Sequence, residues 1–233
     1  MRTRYLGALA AVLLLAVAGS AAAAPILTEH FDNIATLPGA GWVQINNSSP
    51  LGLTNWFQGN SGVFAAYDGA SDAYIAANFN NTGNSGTISN WMMTPELTLG
   101  PDVGLGFFTR TVDSSVYPDR IEVRLSTNGG SVDVGTTDAS VGDFTTLLLT
   151  INPALAIGGY PEAWQGYHLP LGLGASTQGR IAFRYFVTDA GALGNNSNYI
   201  GIDNVSVEPV PEPATLTLVG LGAVALGLRR RRR

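Results

Sequence analysis

The chain has 233 residues and no cysteine, so disulfides are excluded and a body of roughly 180 residues must rely on its own hydrophobic core. Only 12% of the residues are charged, and the formal net charge of −5 hides an uneven distribution, because seven of the 12 cationic residues lie at the two ends. The middle holds five arginines against 17 acids, about −12, which excludes nucleic acid as a partner because phosphate binding requires clustered cations.

Residues 1–24 predict a secretory signal peptide. Arg2 and Arg4 precede an apolar run from about Tyr5 to Ala18, and a stretch of alanines follows. A basic start, a short apolar run and small residues before the cleavage site are the three parts of such a signal. The alternative, an uncleaved membrane anchor, is disfavoured because the run is shorter than the ~20 residues of a spanning helix.

Residues 25–208 predict a single domain of short β-strands separated by turns. In residues 120–130, Ile121, Val123 and Leu125 alternate with charged residues, which is the period of a half-buried strand. Clusters of Gly, Asn, Asp and Pro separate such segments, and no part of this region has a helical period. We therefore predict an all-β fold, a jelly-roll-like antiparallel β-sandwich, flanked by the signal-peptide helix and a C-terminal hydrophobic helix. Further strands are predicted in residues 56–59, 62–69, 72–79, 103–112, 179–191 and 198–209, the last with an irregularity at Asp203–Asn204.

The composition offers little for catalysis, and we expect no catalytic residues. His30 and His168 are the only histidines, and without a thiol or a nucleophile elbow the chain lacks the parts of a serine or cysteine hydrolase. The alternative is a carbohydrate-active hydrolase that uses two carboxylates across a cleft. The glutamates that could act as catalytic carboxylates in such a hydrolase are Glu96, Glu122 and Glu162.

The C-terminal segment, residues 209–233, has three parts in a fixed order. A Pro-Glu-Pro triplet (Pro211, Glu212 and Pro213) is followed by 15 residues without a charge, and the chain ends in five arginines. At 1.5 Å per residue the apolar run makes ~22 Å of helix, short of a ~30 Å hydrocarbon core, so we expect only a transient membrane span. The arginines of the cluster are Arg229, Arg230, Arg231, Arg232 and Arg233.

This segment resembles the PEP-CTERM sorting signal, whereas a plain tail anchor would not need the triplet. The resemblance implies that an exosortase, a membrane enzyme of Gram-negative bacteria, recognises the triplet and removes or replaces the tail. It also implies export through the inner membrane to the envelope, outer surface or medium. These bacteria make extracellular polysaccharide, so a role in the biofilm matrix is expected.

The body resembles the choice-of-anchor J domain, which is related to cleaved-adhesin and MAM-like jelly rolls. The resemblance rests on the order of seven short segments, among them residues 26–42, 55–79 and 86–99. It implies a surface or secreted adhesion domain without an established reaction.

Related adhesin-type domains carry structural calcium, and calcium is the cofactor that the pattern favours. Calcium prefers six to eight oxygen ligands, and jelly rolls often place their first and last strands side by side. The alternatives are that Asp203 caps a strand irregularity through local hydrogen bonds and that the second cluster is a simple Asx turn. The predicted ligands are Glu29, Asp32, Asp203 and Asn204 in one cluster, and Asp68 and Asp72 in another.

The four tryptophans are divided by their surroundings. Trp42 and Trp91 lie in the segments that resemble the family and are expected to pack in the core. Trp56, Trp164 and Tyr167 are the candidates for stacking on sugar rings, since extracellular polysaccharide is the expected ligand, and packing in the core is the alternative for the tryptophans.

Overall fold

The structure, a computed structural model, describes residues 24–210 and consists of two antiparallel β-sheets, which confirms the all-β sandwich. The helices predicted in the signal peptide and the sorting segment lie outside these residues. Sheet A contains β1 (Leu27–Glu29), β4 (Phe57–Gln58), β5 (Ile75–Asn78), β8 (Val103–Thr111), β11 (Gln165–Pro170) and β13 (Tyr199–Pro209). Sheet B contains β2 (Val43–Asn46), β3 (Ser49–Leu51), β6 (Thr82–Met93), β7 (Leu97–Leu99), β9 (Ile121–Ser126), β10 (Thr146–Ile151) and β12 (Thr177–Ala190).

The long strands β13 and β12 lie near the middle of the two sheets. Sheet A has the order β11-β8-β13-β5-β4, with β1 beside the second half of β13. Sheet B has the order β10-β9-β12-β6-β2, with β3 on β6 and β7 on β12. The termini of the described chain enter and leave through neighbouring strands of sheet A.

The core between the sheets follows from the alternation of side chains along each strand. In β9 the alternate residues Ile121, Val123 and Leu125 are buried in the main hydrophobic cluster. Phe183 of β12 and Phe107 of β8 meet across the core, with their rings edge to face at 5.1 Å between centroids. Since each strand contributes every second residue to this layer, the remaining residues form the two outer faces.

The predicted proximity of the first and last strands is confirmed. Leu27 pairs with Val207 and Glu29 with Val205. The irregularity predicted at Asp203–Asn204 is also present, because the pairing of β13 with β8 shifts register between Asp203 and Ser206. Within residues 24–210, no helix is long and apolar enough to cross a membrane.

Two long connections fold over the outer faces. Residues 59–74, called here the sheet A cover, link β4 to β5; residues 127–145, the sheet B cover, link β9 to β10. The strand predicted at residues 62–69 is wrong, since this stretch forms turns within the sheet A cover. Its apolar residues pack on the sheet from outside, which mimics the composition of a strand.

Candidate functional site

The outer face of sheet A has a covered half and an open half. On the covered half, Phe64 and Tyr74 pack with Trp164 directly over Gly201. A β-carbon at Gly201 would lie 2.9 Å from an atom of each of the three rings, so only glycine allows this close packing.

The open half is built on two glycines of β8. Gly104 and Gly106 alternate with Leu105 and Phe107, which point into the core, so the outward positions carry no side chain. His168 of β11 pairs with Gly106 on one side, and Ser206 of β13 pairs with it on the other. The result is a shallow groove with a glycine backbone floor, narrowed by Ser206 and His168 beside Gly106 and by Val210 beside Gly104, which we call the glycine groove.

The walls and ends of the glycine groove come from three strands. Its volume is about 340 Å³, and Pro170 and Glu208 flank Gly104 at one end, next to Val210. Beyond Gly106 on the same face of β8, Phe108 stacks face to face on Tyr67 of the sheet A cover, with 3.6 Å between ring centroids. Tyr67 is 46% exposed, so an aromatic ring lies open to solvent beside the groove.

Asp203 fixes the sheet A cover to β13. Its Oδ2 accepts hydrogen bonds from the backbone N–H groups of Tyr67 (2.9 Å) and Asp68 (3.2 Å), and its Oδ1 accepts one from Asn204 (2.7 Å). Burial of this carboxyl group outweighs these donors and nearby His30, and it raises the pKa of Asp203 to about 6. The local hydrogen bond to Asn204 agrees with the capping alternative for this residue.

Several of the predicted calcium ligands lie near one another. Glu29 accepts from the N–H of Phe31, Asp68 accepts from the N–H of Gly69, and Asp32 lies close to Gly69. Among residues 24–210, no three His, Asp or Glu side chains are arranged to hold a metal ion. The Asp203 oxygens accept three N–H groups, and calcium binding at this cluster stays a prediction.

The two remaining predicted ligands are Asn204, which is next to Asp203 in the chain, and Asp72. Asn204 has a positive φ of 52° in the register shift, and Asp72 is exposed near the end of the sheet A cover.

The sugar-stacking predictions need correction. The prediction that Trp56 stacks on a sugar is wrong, because this residue is only 4% exposed and belongs to the main core. Trp164 is half-buried in the covered half and donates its indole N–H to the carbonyl of Ala65 at 2.9 Å. Tyr167 pairs with Phe107 and stacks on its ring, so the side chain of Tyr167 packs against the core. Trp42 and Trp91 are buried, as expected.

Sequence reasoning missed the residues that form the glycine groove. The sequence argument considers His168 only for catalysis, yet the alternation of β11 places it on the outer face beside Gly106. The available signal was the sequence Val103-Gly-Leu-Gly-Phe107, in which two glycines occupy alternate positions of a strand. Such glycines mark places where another group approaches the backbone closely.

The glutamates considered for hydrolysis occupy three separate elements. Glu122 lies on β9 of sheet B, Glu96 lies in the β6–β7 connection beside the Gly129–Gly130 turn, and Glu162 precedes β11 of sheet A. Burial would raise the pKa of Glu122, but hydrogen bonds and charges from Arg124 and Arg184 outweigh it and lower that pKa. A glycosidase acid needs a raised pKa, so Glu122 does not suit that role.

The comparison with known families concerns the C-terminal segment. Residues 209–233 match the family described as the PEP-CTERM protein-sorting motif. The chain carries a PEP-CTERM sorting motif. The motif, predicted from the triplet, the apolar run and the arginine cluster, indicates an exported, surface-associated protein.

Solved structures give the comparison for the body. The K1 cleaved adhesin domain of Lys-gingipain from Porphyromonas gingivalis W83 has a TM-score of 0.54 and 23% identity, covering 79% of this chain and 98% of that one. The K3 domain of the same protein has a TM-score of 0.52 and 22% identity, covering 79% and 97%. These values show a common fold, which confirms the predicted cleaved-adhesin-like body. No curated protein sequence matches the chain significantly.

Proposed function

We propose that the protein is an exported, non-catalytic adhesion or matrix domain, processed at its C-terminus by an exosortase, which binds extracellular polysaccharide. The observation that carries the proposal is the junction of the sorting motif with an adhesin-like sandwich. The match to the motif begins at Pro209, which is also the last residue of β13. The signal for processing is therefore joined directly to the folded body.

The path of β13 supports a domain that is held from one end. Because Leu27 pairs with Val207, the start of the body lies beside its end. The 11 residues of β13 span roughly 36 Å at 3.3 Å per residue, so the loop before Tyr199 lies at the far end of the sandwich. A body held at either terminus would expose its sheet faces and its far end.

The open half of sheet A supports binding rather than catalysis. It offers a groove within the size range of small-molecule sites, roughly 300–1,000 Å³, beside an exposed aromatic ring. Aromatic rings and neighbouring polar groups are suited to the apolar face and the hydroxyl groups of a sugar. The adhesin domains of similar fold are consistent with a binding role.

Localisation and processing test the proposal in the native host. The chain would be followed by fractionation, and its C-terminus would be defined by mass spectrometry. We expect the body at the cell surface or in the medium without Arg229–Arg233, and we expect Glu212→Ala to accumulate the unprocessed form. The intact chain with its arginines in the cytosol would refute export and processing.

Binding is tested separately on the extracellular polysaccharide of the same host. The full chain in a non-ionic detergent should be retained by this polysaccharide, whereas a chain with Tyr67→Ala should be retained less. Glu96→Gln, on an exposed loop of sheet B, is the matched control and should change nothing. Equal retention of all three chains would contradict a binding face on sheet A.

A further inference from the structure

The charges of the body restrict what the glycine groove can bind. Residues 24–210 contain 16 acids and five arginines. An acidic surface attracts cations and repels anionic ligands, unless free cationic side chains stand at the site. The contacts of the five arginines therefore decide whether an acidic polysaccharide can bind.

All five arginines have partners within the fold. Arg110 and Arg120 donate to the backbone carbonyls of Thr111 and Phe186, respectively, and their guanidinium groups lie over the rings of Phe64 and Phe186. The other three make contacts within the sheet B side of the molecule. Arg124 and Arg184 pair with Glu122, and Arg180 donates to the carbonyls of Gly41, Thr94 and Gly130.

The groove itself presents a carboxylate. Glu208 is exposed and lies on the wall beside Gly104, while the aromatic stack of Tyr67 on Phe108 lies beyond Gly106 on the same sheet face. Gly106 and Phe108 are two residues apart on one face of β8, which is roughly 7 Å along the strand. A ring ligand over the glycine floor would thus lie between an aromatic face and a negative charge.

We propose that the glycine groove binds an amino-sugar glycan, whose protonated amino groups pair with Glu208. The inference rests on the proposed function, since it specifies the polysaccharide that the same face recognises. The glycine floor and Tyr67 contact the apolar face of the sugar ring, while His168 and Ser206 face its hydroxyl groups. Charge complementarity selects the amino sugar over uronic-acid polymers, which the acidic body repels.

The test measures the affinity of the full chain, in non-ionic detergent with EDTA, for four six-residue probes. These are oligomers of glucosamine, N-acetylglucosamine, glucose and galacturonic acid. We expect the glucosamine oligomer to bind tightest and the galacturonic acid oligomer not at all. Raising the salt from about 20 to about 200 mM should weaken glucosamine binding severalfold, because an exposed ion pair is screened.

Single substitutions test whether Glu208 supplies the charge that binds the amino sugar. Glu208→Gln should lower the affinity for the glucosamine oligomer about two- to fivefold and leave that for the N-acetylated oligomer unchanged, as expected for loss of one exposed ion pair. Tyr67→Ala should lower both affinities. Glu96→Gln is the matched charge control and should lower neither, and circular dichroism would confirm that each variant is folded.

The outcomes separate this inference from the proposed function. Equal affinities for the amino and N-acetylated oligomers, insensitive to Glu208→Gln, would overturn the amino-sugar assignment and leave polysaccharide binding intact. A lysine hexapeptide is measured as a fifth probe, and binding equal to that of the glucosamine oligomer would overturn the sugar component. If no probe binds, the amino-sugar assignment falls, and if the host polysaccharide also fails to bind, polysaccharide recognition fails with it.

Discussion

The outer faces of the two sheets differ in how much of their surface is covered by a loop. On sheet B the cover brings Phe144 and Val134 against Trp91, and Arg184 is buried between the rings of Trp91 and Phe186. On sheet A the cover reaches only half of the face, and the other half has glycines where sheet B has large side chains.

We assign stability to the covered face of sheet B and ligand binding to the open half of sheet A. The Arg184 guanidinium, 1% exposed, pairs with Glu122 at 3.1 Å and donates to Ser89 and to the carbonyl of Asp138, so sheet B depends on a satisfied buried charge. Burial lowers the pKa of Arg184 to about 10, which leaves it charged at neutral pH. The open half of sheet A lacks such a network among the described residues, so its side chains are free to meet a ligand.

The largest change in stability is expected when the buried charge of sheet B is removed. Arg184→Met leaves Glu122 paired only with Arg124 and removes the donors to Ser89 and to the carbonyl of Asp138, so we expect a loss of about 2–4 kcal/mol in the free energy of unfolding. Urea denaturation measures it. The double variant Glu122→Gln/Arg184→Met should recover part of the loss, because the one charge left in the cluster, Arg124, is partly exposed and still donates to the carbonyl of Phe144. A loss below about 1 kcal/mol for Arg184→Met would contradict a structural role for the pair.

The covered half of sheet A is tested by adding a single methyl group. Gly201→Ala forces the three aromatic rings above it to move, and we expect a loss of about 1–3 kcal/mol from overpacking. Thermal unfolding monitored by tryptophan fluorescence would follow it. The control is Gly174→Ala, where a β-carbon would meet nothing within 4 Å. Equal stability of the two variants would mean that the cover is not closely packed.

The pH dependence of stability tests the contribution of Asp203, which holds the sheet A cover to β13. Since the pKa of Asp203 is about 6 in the fold and near 3.8 when unfolded, its contribution is fully present below about pH 4 and is lost as the pH rises through 6. A shift of this size, reduced for solvent screening, corresponds to about 1–2 kcal/mol.

Denaturation curves between pH 4 and 7 measure this effect. Asp203→Asn should reduce the slope without abolishing it, because burial also raises the pKa of Asp119 and acts with the same sign. A slope unchanged by the substitution would assign the effect to other groups.

The smallest effect on stability is expected in the glycine groove. Glu208→Gln changes an exposed side chain and should alter the free energy of unfolding by less than about 0.5 kcal/mol. Urea denaturation at neutral pH, alongside Arg184→Met, gives a direct contrast between the two faces. A loss above about 1 kcal/mol would show that the open half also contributes to folding.

The period-two pattern predicted much of the fold. Residues 121, 123 and 125 identified β9 and its buried face, and the break at Asp203–Asn204 identified the irregularity of β13. These features are local, since alternation and a short polar dipeptide are visible within one strand. The C-terminal motif was also recognisable, because its three parts follow one another without a gap.

The candidate site was largely not predictable, because it depends on which strands are neighbours. Tyr167 and His168 are adjacent in sequence, yet pairing with β8 turns the first toward the core and the second outward. Trp56 begins a short predicted strand, but only the packing of the two sheets decides that its ring is buried. The stack of Tyr67 on Phe108 joins residues 41 positions apart, and no local pattern indicates it.

Hydroxyl-radical footprinting with the host polysaccharide tests most directly whether the open half of sheet A is the binding face. Tyr67 and His168 report on the glycine groove, and exposed Tyr117, in the β8–β9 connection at the far end of the sandwich, serves as the internal reference. The account predicts that polysaccharide slows oxidation of Tyr67 and His168 and leaves Tyr117 unchanged. Protection of Tyr117 alone, or of the sheet B cover, would contradict it.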